Sequence, residues 1–454
     1  MEWKQLLSSK RQGEYITRAR TTEFSRNEFQ RDFDRIVFST PFRRLQKKTQ
    51  VHPIPQIDVI HNRLTHSLES ASVGRSLGAI VGRRVIDDER QKFGETGSEK
   101  ITADDFASVV AAACLAHDIG NPPLGHSGER AIADYYKRKL RKPGGFWRRL
   151  NPSQQADLKG FQGNAMGFRI LTHTAPSQSK LAGGLRLTYA TLGAFTKYPT
   201  ESTPELSGSI KAHEKSFGFF QTEKELFKTI ATNLGLKRKR ESGYEWHRHP
   251  LAFLVEAADD ICYRIMDLED GCRLVLIDFN EAQPILKDIA QVSKREIDKI
   301  RDRDERWVYL RGKAINRLIE QVAECFLERK REIMAGSFDC ALISCVPSSP
   351  CLEKIRIISE ERIYNDPRVI EMEAAGFEVL PNLLDTFSKA VMLNSDKDRK
   401  IRQLIPEQYL DNERQPFEDK YETLVSVAQF VSSMTDTHAI DTYRIIKGIS
   451  MPNY

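Results

Sequence analysis

The chain has 454 residues, of which 40% are hydrophobic and 29% charged, and its formal net charge is +6. This composition is typical of a globular protein with material for a large core and one to three domains, and it argues against a disordered chain. No apolar run approaches the roughly 18 residues that a membrane helix needs. The mild positive excess suits an anionic ligand.

Further classes are disfavoured by what the sequence lacks. The segment "MEWKQLLSSKRQGEY" has no apolar core followed by a cleavage site, so we expect a cytoplasmic protein. The seven cysteines are an odd number and contain no C-x-x-C pair, which argues against a disulfide framework and a thiolate zinc site. Neither glycine-rich phosphate loop, G-x-x-x-x-G-K-[ST] or G-x-G-x-x-G, is present. A bound nucleotide must therefore be held by other means.

Most long segments show helical periodicity, and only short pieces such as 354–358 ("KIRII") are predicted as strands. We therefore predict an all-α, mainly helical fold with a few short strands.

The first long predicted helix covers 61–85, "HNRLTHSLESASVGRSLGAIVGRRV". Its apolar positions recur at helical spacing and continue back to His66, which is thus predicted to face inward. Arg63 lies three residues earlier on the same side. A single inward histidine is more often a hydrogen-bonded core residue than a metal ligand, so other residues must point to the same place.

A second helix is predicted to begin with a capping box variant formed by Thr102 and Asp105 and to end at Gly120, before two prolines. His117 continues the apolar stripe of this helix and is predicted to face inward at the last turn. Asp118 lies about 100° further round, where the helix opens. The two side chains can therefore converge on one point.

A third helix is predicted over 249–270, with Pro250 in its first turn. Its apolar stripe takes in Asp259, whereas Asp260 is predicted to face away, with Arg264 four residues on as a surface partner. An unpaired buried carboxylate is costly, and a divalent cation would remove that cost. Asp259 is therefore the carboxylate that we expect to face the interior.

Two imidazoles and two carboxylates are then aimed at one place: His66, His117, Asp118 and Asp259. This nitrogen and oxygen set suits Mg²⁺, Mn²⁺, Fe²⁺, Co²⁺ or Ni²⁺, and without a cysteine ligand a structural zinc is disfavoured. Such a site can leave positions open for water and substrate, which favours metal-assisted hydrolysis.

The order of these residues along helices resembles that of the HD-domain metal-dependent phosphohydrolases. Longer strings resemble, in chain order, the deoxyguanosinetriphosphate triphosphohydrolases (dGTPases): "NRLTHSLE", "AHDIGNPPLGHSGE", "FQGNAMGFR", "KYP", "HPLAFLVEAADDICY" and "SSMTDTHA". The resemblance extends from about residue 25 to 445, and the joint occurrence of these strings is far more specific than the His-Asp pair.

The resemblance implies an all-α enzyme that cleaves a dNTP, most simply dGTP, to the deoxynucleoside and intact triphosphate. It also implies one divalent cation per subunit (Mg²⁺ or Mn²⁺, with Fe²⁺, Co²⁺ or Ni²⁺ as alternatives), hexamers built from dimers, and single-stranded DNA as a regulator of some members. We accordingly divide the chain into an N-terminal helical segment (1–60), an HD-type core with inserted loops (61–275) and a C-terminal helical region completing the nucleotide site and oligomer contacts (276–454).

Residue by residue, the resemblance implies that the metal ligands are His66, His117, Asp118 and Asp259, and that His126 and Glu129 are the catalytic pair. The positions that hold the deoxyribose correspond to Gln50, Tyr263 and Asp267. The triphosphate contacts correspond to Arg63, Asn164, Lys197, Tyr198 and Lys215. In "FQGNA", Gln162 stands where the family pattern has a glutamate.

Two other functions compete with this one. Another HD-type activity, on a guanosine polyphosphate alarmone, a cyclic dinucleotide or a nucleoside monophosphate, would use the same metal site, although the sugar-binding positions favour a dNTP. A single-stranded nucleic-acid-binding regulatory protein with a vestigial site would use the basic runs 137–149 and 236–241. His126 and Glu129 also fit a helix start with a first-turn acid.

Overall fold

The computed structural model describes residues 1–13, 26–53, 60–93, 101–141, 144–173, 184–203, 216–241 and 243–451. Helices dominate these residues. In the first half of the chain they are α1 (Trp3–Leu6), α2 (Glu28–Val37), α3 (Thr40–Arg44), α4 (Arg63–Phe93), α5 (Ala103–Ala116), α6 (Gly125–Arg141), α7 (Pro152–Lys159), α8 (Gly163–Thr172), α9 (Tyr189–Phe195) and α10 (Lys224–Asn233).

The second half of the chain continues in the same way. Its helices are α11 (Pro250–Arg273), α12 (Phe279–Ala290), α13 (Lys294–Ile297), α14 (Arg303–Glu328), α15 (Lys330–Ala335), α16 (Ser349–Ile358), α17 (Pro367–Met392), α18 (Asp396–Arg402), α19 (Lys420–Ser432) and α20 (Asp436–Ile446). Buried side chains from α1 to α20 belong to one hydrophobic cluster. None of the described helices combines the length and apolar composition needed to cross a bilayer.

The predicted all-α fold is confirmed, but the predicted strand at 354–358 is wrong. Within the described ranges, extended pairing is limited to isolated β-bridges. The "KIRII" segment forms the second half of α16, where Leu352 and Ile355 are buried at a helical spacing of three. A short apolar run has no periodicity that separates a strand from a buried helix. Here the segment is part of a longer helix that begins at Ser349.

Helices α4 and α5 pack unusually closely because α4 presents a glycine every fourth residue. A Cβ atom added at Gly78 would lie 2.7 Å from the carbonyl oxygen of Phe106, and one at Gly74 would lie 2.5 Å from Cys114 Sγ. One at Gly82 would lie 2.9 Å from Phe106 Cβ. The two backbones are therefore in contact where ordinary helices are separated by side chains.

The predicted helix termini around the candidate site are largely confirmed. Thr102 and Asp105 form the expected capping box at the start of α5. The helix ends at Ala116, a few residues before Gly120, so His117 is its C-terminal cap. Helix α11 begins at Pro250, as predicted.

The histidine that precedes α11 is locked in its neutral form. His249 Nδ1 accepts a hydrogen bond from the Leu251 amide at 3.1 Å, so Nε2 carries the proton and donates to the Leu6 carbonyl at 3.0 Å. Burial lowers the pKa of His249 to about 4. The start of α11 is thereby tied to α1.

Helix α14 contains the amphipathic stretch 313–327. Most of its apolar residues are buried, including Leu318 and Val322. The helix packs against α4, α11 and α12. The apolar face is thus used within this chain and gives no separate reason to expect oligomerisation.

His61 fixes the start of α4 to the end of α11. Its Nδ1 lies 2.7 Å from Asp270 Oδ1, and its Nε2 lies 3.2 Å from Glu69 Oε1. Burial opposes protonation, but hydrogen bonds to the Asp270 and Glu69 carboxylates outweigh it and raise the pKa of His61 to about 10. His61 is therefore a doubly paired cation at neutral pH.

We expect His61→Gln to lower the free energy of unfolding by about 1 to 3 kcal/mol at pH 6, because hydrogen bonds to charged groups contribute about that much. The stabilisation from a raised histidine pKa is complete below the unfolded value of 6.5 and is lost as the pH rises through about 10. Denaturant unfolding between pH 6 and pH 10 should show the difference between wild type and variant shrinking. A difference that is independent of pH would contradict the paired, protonated state.

Candidate metal centre

Helices α4, α5 and α11 bring the four sequence-predicted metal ligands to one place. His66 Nε2 lies 2.9 Å from Asp259 Oδ1, and His117 Nε2 lies 3.4 Å from the same oxygen. Asp118 Oδ1 lies 3.5 Å from His117 Nε2. His66, His117 and Asp118 each present a ligand atom within 4.8 Å of the others. Two imidazoles and two carboxylates therefore converge on one point.

The orientation of His117 is set by its own helix. Its Nδ1 lies 2.6 Å from the Cys114 carbonyl oxygen, which can only accept, so Nδ1 donates the hydrogen bond. Nε2 is then directed at the carboxylates, as in metal-binding histidines whose other nitrogen is held by a carbonyl. Burial opposes protonation of His117, but Asp118 and Asp259 outweigh it and raise its pKa to about 9.

Asp118 is held in place by two basic or polar side chains. Arg63 Nη1 lies 2.9 Å from Asp118 Oδ2, and the Asn121 side-chain amide donates to Oδ1. Burial opposes ionisation, but Arg63 and then His117 outweigh it, so the pKa of Asp118 is lowered. Despite the nearby guanidinium, the buried Oδ2 accepts no hydrogen bond of acceptable geometry from any described residue. An oxygen of this kind suits coordination by a cation.

Asp259 occupies the open side of the cluster. Its side chain is 34% exposed, whereas that of His66 is 2% exposed. Solvent still reaches this side chain, which differs from the buried carboxylate that the sequence predicted. Burial opposes ionisation, but His117 and His66 outweigh it and lower the pKa of Asp259. The set of two imidazoles and two carboxylates fits a divalent cation.

The neighbouring Asp260 does not have the predicted environment. It is half-buried. Burial, with the adjacent Asp259 charge, raises its pKa to about 7. Arg264 donates to the Leu352 carbonyl at 3.3 Å and forms no ion pair with Asp260 in the described part of the chain. The expected surface pair is therefore wrong, because α16 provides the partner of Arg264.

The face of α11 that carries Asp259 continues with Tyr263 and Asp267, two of the three sugar candidates. Asp267 is buried, and the Tyr364 hydroxyl donates to its Oδ2 at 2.6 Å. Burial raises the pKa of Asp267 to about 7. The rings of Tyr263 and Tyr364 are 6.1 Å apart. Gln50, the third candidate, has a buried Oε1 that accepts no hydrogen bond within the described ranges.

Tyr364 was missed by the sequence reasoning. It lies 97 residues from Asp267 in the chain. No periodic pattern connects the two positions. Asn121 was also not selected, although it lies only three residues after Asp118, to which its side-chain amide donates.

Two of the triphosphate candidates are paired with protein carboxylates. Lys197 Nζ lies 3.1 Å from Glu256 Oε1, and Arg248 Nη1 lies 2.8 Å from Glu256 Oε2. Burial opposes the Lys197 charge, but Glu256 outweighs it and raises the pKa of Lys197. Arg63 is paired with Asp118. Arg248 was not selected from the sequence, although it directly precedes the "HPLAFLVEAADDICY" string.

For the other triphosphate candidates, the structure shows fewer contacts. Lys197 Nζ lies 5.6 Å from the ring centre of Tyr198. Asn164 is half-buried in the first turn of α8. Lys215 lies outside the described residues.

The proposed catalytic pair lies on α6. Glu129 Oε1 accepts a hydrogen bond from the Gly163 amide at 2.7 Å, which ties α6 to the start of α8. Gln162, the departure from the family pattern, is the N-cap residue of α8 and makes no side-chain capping hydrogen bond. The backbone of His126 belongs to the first turn of α6, and its side chain lies outside the described part of the structure.

Comparison with known proteins places the chain in a family. The family described as "HD domain" matches residues 63–147, which include α4, α5 and α6. A "Deoxyguanosinetriphosphate triphosphohydrolase-like protein" from Synechocystis sp. is 40% identical over 99% of this chain and 100% of its own length. A protein of the same description from Pseudomonas aeruginosa is 36% identical over the full length of both chains.

A more distant relative carries the name without the qualifier. The "Deoxyguanosinetriphosphate triphosphohydrolase" of Yersinia pestis is 29% identical over 92% of this chain and 93% of its own length. Identity of this extent, with the matched HD domain, also implies a divalent metal and a phosphohydrolase activity. The chain therefore belongs to the dGTPase family of the HD-domain superfamily.

Proposed function

We propose that this protein is a metal-dependent dNTP triphosphohydrolase that converts dGTP and water to deoxyguanosine and triphosphate. The observation that carries the proposal is the continuous face of α11, on which the metal candidate Asp259 is followed at spacings of four by the sugar candidates Tyr263 and Asp267. A deoxynucleotide whose phosphate lies at the cation would extend its sugar along this face. The names of the relatives support the choice of substrate.

In the proposed reaction, a water oxygen forms a bond to the α-phosphorus, the bond from that phosphorus to the 5′-oxygen breaks, and the 5′-oxygen takes up a proton. His66, His117, Asp118 and Asp259 would hold the cation. The cation would supply a Lewis acid that neutralises charge on a phosphate oxygen. Lys197 and Arg63 would neutralise further triphosphate charge, and Asn164, Tyr198 and Lys215 would complete the contacts.

His126 and Glu129 are proposed to act in proton transfer during the hydrolysis. His126 would position the attacking water or move a proton at one end of the in-line axis. The hydrogen bond from the Gly163 amide to Glu129 Oε1 fixes α6 against α8, and so supports a defined position for the first turn of α6. Asp267 would accept a hydrogen bond from the 3′-hydroxyl, and the side-chain amide of Gln50 would donate one to it.

The activity is tested with purified protein, Mg²⁺ or Mn²⁺ and each dNTP in turn, with products separated by ion-exchange chromatography. Release of intact triphosphate supports the proposal, whereas pyrophosphate or phosphate as the first product contradicts it. Parallel reactions with GTP, a guanosine polyphosphate, a cyclic dinucleotide and a nucleoside monophosphate test the other HD-type activities. Parallel reactions with a single-stranded oligonucleotide test the proposed DNA regulation.

We expect Asp259→Asn to weaken metal binding about 100-fold or more, because loss of an outer-shell partner alone costs 10- to 100-fold and Asp259 is proposed as a direct ligand. The matched control is Asp260→Asn, which removes the adjacent carboxylate, about 100° further round the helix. Metal content after dialysis and the Mn²⁺ dependence of activity measure both variants. Equal loss in the two variants would argue against Asp259 as a specific ligand.

The sugar preference provides a second prediction. A tyrosine ring packed where the C2′ carbon lies would leave no room for a 2′-hydroxyl, and exclusion by a clash discriminates more strongly than loss of one contact. We expect dGTP to be hydrolysed well ahead of GTP, with Tyr263→Ala reducing the ratio of the two kcat/KM values about 10-fold or more. Asp267→Ala should weaken binding of both sugars.

The controls separate this role from packing. Tyr443→Ala removes a tyrosine of α20 whose hydroxyl bonds Glu378 near the surface, so it should leave the sugar preference unchanged. Thermal unfolding of each variant reports lost stability independently. Full discrimination by Tyr263→Ala together with a lower Tm would make Tyr263 a core aromatic, and equal rates for GTP and dGTP in the wild type would rule out the sugar assignment.

We also propose a homo-oligomer, a hexamer built from dimers, on the basis of the family resemblance. Exposed apolar side chains on neighbouring helices α17 and α20 support a surface that another subunit could cover; they include Phe377 and Ile445. Sedimentation velocity at micromolar concentration should give a species larger than the monomer, which Phe377→Glu weakens and Phe38→Glu, at an exposed site outside α17 and α20, does not. A monomer at every concentration would contradict the proposal.

A further inference from the structure

The string "SSMTDTHA" (432–439) has no part in the proposed chemistry, yet one of its side chains is buried beside the candidate site. Asp436 is the first residue of α20 and is 7% exposed. Its Oδ1 accepts a hydrogen bond from the Leu124 amide at 2.9 Å. Its Oδ2 accepts one from the Thr49 amide at 2.8 Å. A single carboxylate thus binds the backbone of two segments far apart in sequence.

The first segment is the turn that begins α6. Leu124 has φ +63° and Gly125 has φ +65°, so two consecutive residues adopt the left-handed conformation. For leucine this conformation is strained and persists only where its surroundings hold it. Oδ1 of Asp436 holds the Leu124 amide, and Ser127 Oγ donates to the Leu124 carbonyl at 2.6 Å. The direction of α6, with His126 and Glu129, depends on this turn.

The second segment leads to Gln50 and the start of α4. Thr49 pairs with Asn62 as an antiparallel bridge, and the Arg63 amide donates to the Lys48 carbonyl at 3.2 Å. Gln50 follows Thr49 directly. By holding the Thr49 amide, Oδ2 of Asp436 fixes the backbone that presents Gln50.

Lys48, which precedes Thr49, links the same segments through its side chain. Its side chain is buried, and Nζ donates to the Asn121 carbonyl and, at 2.7 Å, to the Ser432 carbonyl. Asn121 in turn donates to Asp118, one of the proposed ligands. The end of α19, the loop after α5 and the segment before α4 are therefore joined by two buried side chains, those of Asp436 and Lys48.

Helix capping does not explain the burial of Asp436. The cap of α20 is Thr435, whose Oγ1 accepts a hydrogen bond from the His438 amide at 3.3 Å. Both oxygens of Asp436 are directed away from its own helix, at amides of other segments. An asparagine would keep one acceptor and turn an N–H donor toward the second amide, which costs the contact and adds a donor facing a donor.

We propose that Asp436 is a positioning residue: it sets the turn at Leu124 and the segment at Thr49, and thereby aligns α6 and Gln50 with the metal centre. Its effect on turnover rests on the proposed triphosphohydrolase function. Its effect on the two backbone segments does not. A displacement of about 1 Å in a catalytic group can cost about 100-fold in rate.

The test compares Asp436→Asn with Asp441→Asn, which makes the same change at an exposed position of α20. The readouts are kcat and KM for dGTP, Mn²⁺ affinity, Tm, and hydrogen exchange by mass spectrometry. We expect Asp436→Asn to lower kcat at least about 10-fold, to change Mn²⁺ affinity less than about 3-fold, and to raise exchange in peptides that cover 48–50 and 121–126. Asp441→Asn should change none of these.

Other outcomes overturn the proposal. They are an unchanged kcat with unchanged local exchange, or exchange raised throughout the protein with an unchanged kcat per folded molecule. If Asp436→Asn does not fold, Asp436→Glu keeps both oxygens but shifts them by one methylene, and the same pattern of readouts applies. If the wild type releases triphosphate from no dNTP, the proposed function fails, while local exchange in the variants still decides the positioning role.

Discussion

The close approach of α4 and α5 is the constraint on which the rest of the site depends. With side chains between them, two helices pack about 8 to 10 Å apart. The glycines at positions 74, 78 and 82 remove that layer, to the point that a Cβ at Gly78 would lie 2.7 Å from a backbone oxygen. The imidazoles of His66 and His117 are thereby brought to a centroid distance of 5.1 Å. Helix α11 then adds Asp259 from the side that remains open.

This convergence concentrates charge, and the neighbouring residues are arranged to tolerate it. Asp118 is kept ionised by Arg63 against the effect of burial. Asp259 and Asp118 together favour protonation of His117. The negative charge of these two carboxylates can therefore be balanced by a bound cation or by a proton on His117. Buried titratable groups with specific charge partners mark a candidate functional site, which supports the proposal that this cluster binds a cation.

The sequence predicted those features that repeat along a helix. Spacing of three and four indicated the faces of α4, α5 and α11 that carry His66, His117 and Asp259, because each face lies within one segment. It did not predict the partial exposure of Asp259 or the half-buried environment of Asp260. It failed for "KIRII", which is too short to show a period. It could not identify Tyr364, Arg248 or Asp436, because their contacts join segments that are close only after folding. Lys215 and the side chain of His126 lie outside the described part of the structure, so their predicted roles stay predictions.

The matched HD domain, residues 63–147, contains His66, His117 and Asp118 but neither Asp259 nor the sugar face of α11. Tyr364, which binds Asp267, and Glu256, which holds Lys197, also come from later in the chain. The matched domain therefore supplies three of the four proposed metal ligands, and the fourth, Asp259, comes from α11. The contacts that would select the sugar and receive the phosphates come from α9, α11 and the segment before α17. Helix α11 carries both the proposed ligand Asp259 and the proposed sugar face, so the same helix would complete the metal centre and place the sugar contacts.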